Sequence, residues 1–158
     1  MSYIMELRRT VGHRPLIMPC ACLIIGDGRG NVLLQHRADD GKWANHGGAI
    51  ELWETVEEAL YREIGEELGV RPVEPRLLKA YSGPEFRHVY PNGDQVMVVD
   101  LVHWCHGFDG ELRLQPEEVT EVRWFPLDGL PENILAHNLI ALKDYGRLIG
   151  KECACREK

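Results

Sequence analysis

Residues Thr55 to Gly69 carry a complete set of local helix signals, and this segment constrains the fold more than any other part of the chain. Thr55 followed by Glu58 makes a capping box, in which each side chain accepts from a backbone N–H left free at the helix start. Val56, Leu60, Ile64 and Leu68 recur at i+4 as one apolar stripe, which must be buried against another element. Gly69 supplies a left-handed cap, and Pro72 blocks continuation.

The pattern changes on both sides of that helix. Leu16 to Ile25 and Asn31 to Gln35 are apolar and partly β-branched, and Gly26-Asp27-Gly28-Arg29-Gly30 between them reads as a hairpin turn. Lys42 to Glu51 is a glycine-bearing loop that leads into a short extended piece. Leu77 to Tyr81, Gln95 to Cys105 and Glu121 to Leu127 read as further strands, with Pro91-Asn92-Gly93-Asp94 a turn before the long one. Pro131 to Leu148 reads as a closing helix that buries Ile134, Leu135, Leu139, Leu142 and Tyr145. Strands before and after a central helix predict an α/β class, a mixed sheet packed between helices in one domain over residues 1–158.

Composition excludes several classes. A chain of 158 residues, 44% hydrophobic and 27% charged, suits one globular domain that folds without disulfides or metal staples. The longest apolar run, Ala21 to Ile25, is far below the ~20 residues that span a bilayer. The start, Met1 to Arg9, lacks the charged segment and apolar core of a signal peptide, so the expectation is a soluble, cytoplasmic protein with no membrane partner. Among five cysteines, Cys20 and Cys22 lie at strand spacing and read as small core residues, while Cys153 and Cys155 lie in a polar tail. Neither pair has the spacing of a zinc site, and a reducing compartment suits all five.

The formal charge of −7 argues against a nucleic-acid polymer as partner, because phosphate backbones are held by clustered Lys and Arg. Most of that charge sits in one place. Glu54, Glu57, Glu58, Glu63, Glu66 and Glu67 face a single base, Arg62, between Glu54 and Leu68. At 100° per residue, Glu63, Glu66 and Glu67 fall within an arc of roughly 100° that abuts the apolar stripe. Like charges at i,i+3 and i,i+4 repel, and carboxylates in the last turns oppose the helix dipole. Such local violations mark functional sites. Hard oxygen donors in that number suit Mg²⁺ or Mn²⁺, and the glycine pair Gly47-Gly48 can bring a backbone carbonyl close.

The run Gly48-x5-Glu54-x7-Arg62-Glu63-Ile64-x-Glu66-Glu67-x-Gly69-Val70 resembles the Nudix box at every fixed position, so the chain is similar to the Nudix hydrolases. The order of flanking elements also resembles that family's α/β/α sandwich with a central mixed sheet. The resemblance implies divalent-cation-dependent hydrolysis of a nucleoside diphosphate linked to another moiety, such as a nucleoside triphosphate, ADP-ribose or nucleotide sugar. It implies Glu63 and Glu67 as direct Mg²⁺ (or Mn²⁺) ligands, Glu66 as a third ligand or the base that activates water, and the Gly47 carbonyl as a further ligand. Arg62 would pair with Glu54 or a neighbouring acid and hold the site rigid, while Gly48 and Gly69 would be structural. A homodimer is also implied. The alternative is a Nudix fold that senses a nucleotide without cleaving it. An isomerase on the same fold would need a positioned cysteine, and Cys105 is a poor candidate.

Three positions depart from the family's pattern: His46 before the double glycine, Trp53 before Glu54, and Gly65 inside the helix. None removes a metal-ligand position. Substrate preference is expected from loops outside the box. Tyr81 to Tyr90 mixes aromatics and cations in an expected loop, with Phe86, Arg87 and Tyr90 as candidate substrate contacts. Glu117 or Glu118 is a candidate additional carboxylate, Trp124 is expected in the core, and His103 and His106 are expected as strand residues.

Overall fold

The structure, a computed structural model, describes residues 2–151. Its first half runs α1 (Tyr3–Val11), β1 (Leu16–Gly26), β2 (Asn31–Arg37), β3 (Trp43–Ala44), β4 (His46–Ala49) and α2 (Val56–Leu68). The second half runs β5 (Arg71–Pro72), β6 (Arg76–Tyr81), β7 (Arg87–Val89), β8 (Gln95–Cys105), β9 (Phe108–Asp109), β10 (Val119–Pro126) and α3 (Ala136–Leu148).

Period-two alternation in β1 explains the layers. Ala21, Leu23 and Ile25 point to one face and pack with Ala59, Leu60, Ile64 and Leu68 of α2. Cys20 and Ile24 point to the other, with Val98 and Val102 of β8 and Leu142 and Tyr145 of α3. A sheet apolar on both faces requires a helix on each, which is the α/β/α sandwich the sequence predicts. The sheet order is β10-β2-β1-β8-β6, with β4 added to β1, β3 to β2 and β7 to β8. Among the described strands β1 and β8 pair in parallel and the other ladders of this sheet are antiparallel, so the sheet is mixed. Leu60, Ile64 and Leu68 are fully buried, each contributing about 1.5–3 kcal/mol.

Helix α2 has the predicted ends. Glu58 N–H donates to Thr55 Oγ1 and Thr55 N–H to Glu58 Oε2, and Gly69 is left-handed at φ 69°. Four expectations are corrected elsewhere. The stretch Lys42 to Glu51, expected as a glycine-bearing loop, holds strands β3 and β4, paired with β2 and β1. The closing helix begins at Ala136, not Pro131, because Asn133 and Leu135 exchange backbone hydrogen bonds with Trp43 and extend the chain there. The expected loop from Tyr81 to Tyr90 is a 3-10 turn, Pro84–Phe86, followed by β7 paired with β8. Trp124 is 41% exposed rather than core, since its neighbours Arg123 and Phe125 stack on Trp43 instead. The N-terminal segment, unassigned from sequence, forms α1. Cys153 and Cys155 lie outside the described residues.

Candidate active site

Strand β4 runs antiparallel to β1 with Ala21 opposite Gly48 and Cys22 opposite Gly47, which sets the glycine pair under the C-terminal half of α2. The closeness explains the glycines. A Cβ on Gly48 would lie 2.6 Å from Glu63 Oε2, and one on Gly47, at φ 119°, would lie 2.2 Å from the Ala21 carbonyl oxygen.

Each glutamate of the arc has a different environment. Glu67 is 4% exposed; its two oxygens accept from Gln35 Nε2 at 2.9 Å and from the Gly47 N–H at 2.9 Å. Burial pushes its pKa up to about 8, and the charges of Glu63 and Glu118 add to the rise, outweighing those two hydrogen bonds. Glu63 is also shifted upward, chiefly by burial, while Arg62 Nη1 donates to its Oε1 at 2.6 Å. Glu66 is half exposed, 3.3 Å from the same Arg62 nitrogen. Arg62 is the hub: it binds Glu54 through Nε at 2.6 Å and Nη2 at 2.9 Å, and Nη2 also donates to the Ala49 carbonyl at 3.1 Å. This fork holds Glu54 below the usual carboxylate range and ties the loop to the helix.

Glu118, one of the two candidate extra carboxylates, lies close enough for its charge to raise both Glu63 and Glu67. His46 is fully buried, with Nε2 donating to the Leu33 carbonyl at 3.0 Å and Nδ1 3.3 Å from Gln35 Oε1. Burial pushes its pKa down to about 4, so it stays neutral in the core, and with its one proton on Nε2 its Nδ1 has none to donate to Gln35. Gln35 was missed in the sequence. Its only signal there is a polar residue after the apolar run Val32-Leu33-Leu34.

The candidate substrate contacts separate. Phe86 is 3% exposed and stacks on Tyr81 at 5.7 Å, so its ring belongs to the core and offers no free face to a base. Arg87 is exposed and donates to Gln95 Oε1 at 2.9 Å. Tyr90 lines a cavity beside Gly47 and Gly48. His103 lies in β8, and His106 falls just beyond its end.

A divalent cation fits the donor set: hard carboxylate oxygens of Glu63, Glu66 and Glu67, one of them so buried that its charged form lacks compensation. Among the described residues no three His, Cys, Asp or Glu side chains already converge on one metal position. Glu63 and Glu67 are turned toward Arg62, Gln35 and the Gly47 N–H.

The family model for the NUDIX domain matches residues 17–144, a span that contains α2 and all of the sheet but its first residue, Leu16. The chain belongs to the Nudix hydrolase family. It is 38% identical over 107 residues to a protein from Methanocaldococcus jannaschii named ADP-ribose pyrophosphatase, with 68% of this chain and 59% of that protein covered. It is 31% identical over 147 residues to a protein from Escherichia coli O139:H28 named nucleoside triphosphatase NudI, with 87% and 97% covered. Among solved structures, the MutT NUDIX hydrolase from Burkholderia pseudomallei superposes with a TM-score of 0.68 at 31% identity, covering 83% of this chain and 98% of that one. The chain thus spans well under two thirds of the length of the first of these relatives.

Proposed function

We propose that the protein hydrolyses a pyrophosphate bond in a nucleoside diphosphate linked to a further group, with Mg²⁺ or Mn²⁺ as cofactor. The observation that supports this reading is the buried Glu67 carboxylate beside Glu63, both packed directly against the backbone of Gly47 and Gly48. Glu63 and Glu67 would hold the cation, with Glu66 and the Gly47 carbonyl as further ligands. When bound, the cation neutralises the pyrophosphate oxygens and acidifies a water molecule. Glu66, the most exposed of the three, would be either that further ligand or the base that takes the proton from the attacking water. The water oxygen bonds to phosphorus as the bridging P–O bond breaks, giving a nucleoside monophosphate and a second phosphorylated product. Arg62 keeps Glu54, Glu63 and the Ala49 carbonyl in register throughout. The names of the relatives from M. jannaschii and E. coli support ADP-ribose and nucleoside triphosphates as the first substrates to test.

The second reading is a Nudix-fold sensor that binds a nucleotide without cleaving it. One assay separates the two: Mg²⁺ with ADP-ribose, nucleotide sugars and nucleoside triphosphates, following monophosphate release. Release from at least one substrate, reduced by about 10² or more in Glu66→Gln or Glu67→Gln, is expected. Binding without release favours the sensor. On the hydrolase reading the partner is a small phosphorylated molecule in the cytoplasm. The homodimer is checked by sedimentation velocity.

A further inference from the structure

Leu33 and Gln35 lie two residues apart on β2, so both side chains point to the face of the sheet that α2 covers. Leu33 packs there in one cluster with Leu60, Ile64 and Leu68. The next position on that face holds an amide instead of an apolar group, and Gln35 is only 3% exposed. Burying an amide is unfavourable unless its hydrogen bonds are made, so the partners of this one decide what it does. Nε2 donates to Glu67 Oε1 at 2.9 Å and to the Asn45 carbonyl at 3.3 Å. Two acceptors on one side settle which end of the amide is the nitrogen. Asn45 stands two residues before Gly47, whose N–H donates to the other oxygen of the same carboxylate. One neutral side chain thus links α2 to β4, the two elements that would supply the Glu67 and Gly47 ligands.

We infer that Gln35 is a positioning residue for the cation site, fixing the Glu67 carboxylate against β4. The inference rests on the reading of Glu67 as a cation ligand. An ionised carboxylate has about four lone-pair sites, so the two hydrogen bonds from Gln35 and Gly47 leave about two for a cation. Outer partners of this kind set the direction of a ligand without touching the metal.

The choice of glutamine follows from charge. On the other side of the arc Arg62 ties Glu63 to the Ala49 carbonyl, and its positive charge is matched by a two-pronged bond to Glu54. A Lys or Arg at position 35 would meet Glu67 itself and stand in for the cation. An acid there would repel Glu67, and an apolar residue would leave Glu67 Oε1 unpaired in a buried place. Glutamine donates two hydrogen bonds and adds no charge, so the negative charge of Glu67 stays available.

The test uses the full chain without nucleotide and counts bound Mn²⁺ from the loss of the free-ion electron paramagnetic resonance signal. Gln35→Met, unbranched and apolar, should weaken Mn²⁺ by about tenfold or more. In a Glu67→Gln background the same substitution should change Mn²⁺ affinity by less than about twofold, because the residue through which Gln35 acts is gone. Gln35→Lys restores a donor, so its thermal midpoint in chelator should match or exceed that of Gln35→Met, while its Mn²⁺ affinity stays at least as low. Should the methionine variant fold poorly, the lysine variant carries the comparison. A residue that only fills space or supports the fold would weaken Mn²⁺ alike in both backgrounds and would be rescued by lysine. Unchanged Mn²⁺ affinity in Gln35→Met, equal losses in the two backgrounds, or recovery with lysine would each overturn the inference and leave the proposed hydrolysis standing. Mn²⁺ uptake by the wild type without hydrolysis of any substrate would do the reverse. A wild type that takes up no Mn²⁺ would overturn both.

Discussion

Trp53 holds a left-handed backbone conformation at φ 68° while 98% of its surface is exposed, so no packing contact offsets the strain. An L side chain in that region costs about 1 kcal/mol, and Trp53→Gly should raise stability by about that amount in urea unfolding. An unchanged midpoint would refute the strain. Glu67 makes a prediction in pH. Burial holds its pKa at about 8, against 4.5 for an unperturbed carboxyl, so between those values the folded protein keeps a proton that the unfolded chain has released. Its stability contribution therefore falls as pH rises toward 8. His46 and His137 act in the opposite sense, but only between about 4 and 6.5, and Asp100 loses its proton near 6. In chelator, the denaturation midpoint should decline from pH 6.5 to 8, and Glu67→Gln should remove that decline. A flat wild-type profile would show that the carboxyl is not held protonated.

Helix α2 joins good and poor local choices on one element. Gly65 lies mid-helix, where an added Cβ would meet nothing within 4 Å, so Gly65→Ala should stabilise by up to about 1 kcal/mol. Thr55→Ala should destabilise by about 1 kcal/mol, because it leaves the Glu58 N–H without its cap. Thermal melts of the two variants should move in opposite directions, and matching shifts would contradict this account. At the other end Gly69 cannot be replaced so freely. Its φ is 69°, and a Cβ there would sit 2.9 Å from the Arg113 Cβ. The same helix bears the glutamates along the edge of its apolar stripe, with Glu67 buried beside it.

Across the molecule, α1 is a helix with no buried residue. Arg8 ties it down, its guanidinium donating to the carbonyls of Gly12, Arg14 and Gln95 and lying 3.4 Å from Asp94. Arg8→Ala should cost about 2 kcal/mol and speed amide exchange over residues 3–11, and unchanged exchange there would show another anchor. Since Ile4 lines the cavity, the same variant should expose that cavity. How much of this was legible beforehand follows from range. The capping box, the i+4 stripe, the Gly69 cap and the acid arc all lie within one turn or two of each other, and local geometry fixes them before any fold exists. The order of strands before and after that helix likewise predicted a mixed sheet packed between helices. Gln35 reaching Glu67, Asn45 bonding Asn138, Phe86 turning inward and α1 settling over the cavity depend on residues 32 to 93 positions apart or on strand register. Short-range propensities carry no information on such pairs, because their partners meet only once β1 and β8 have aligned and the helices have closed on the sheet.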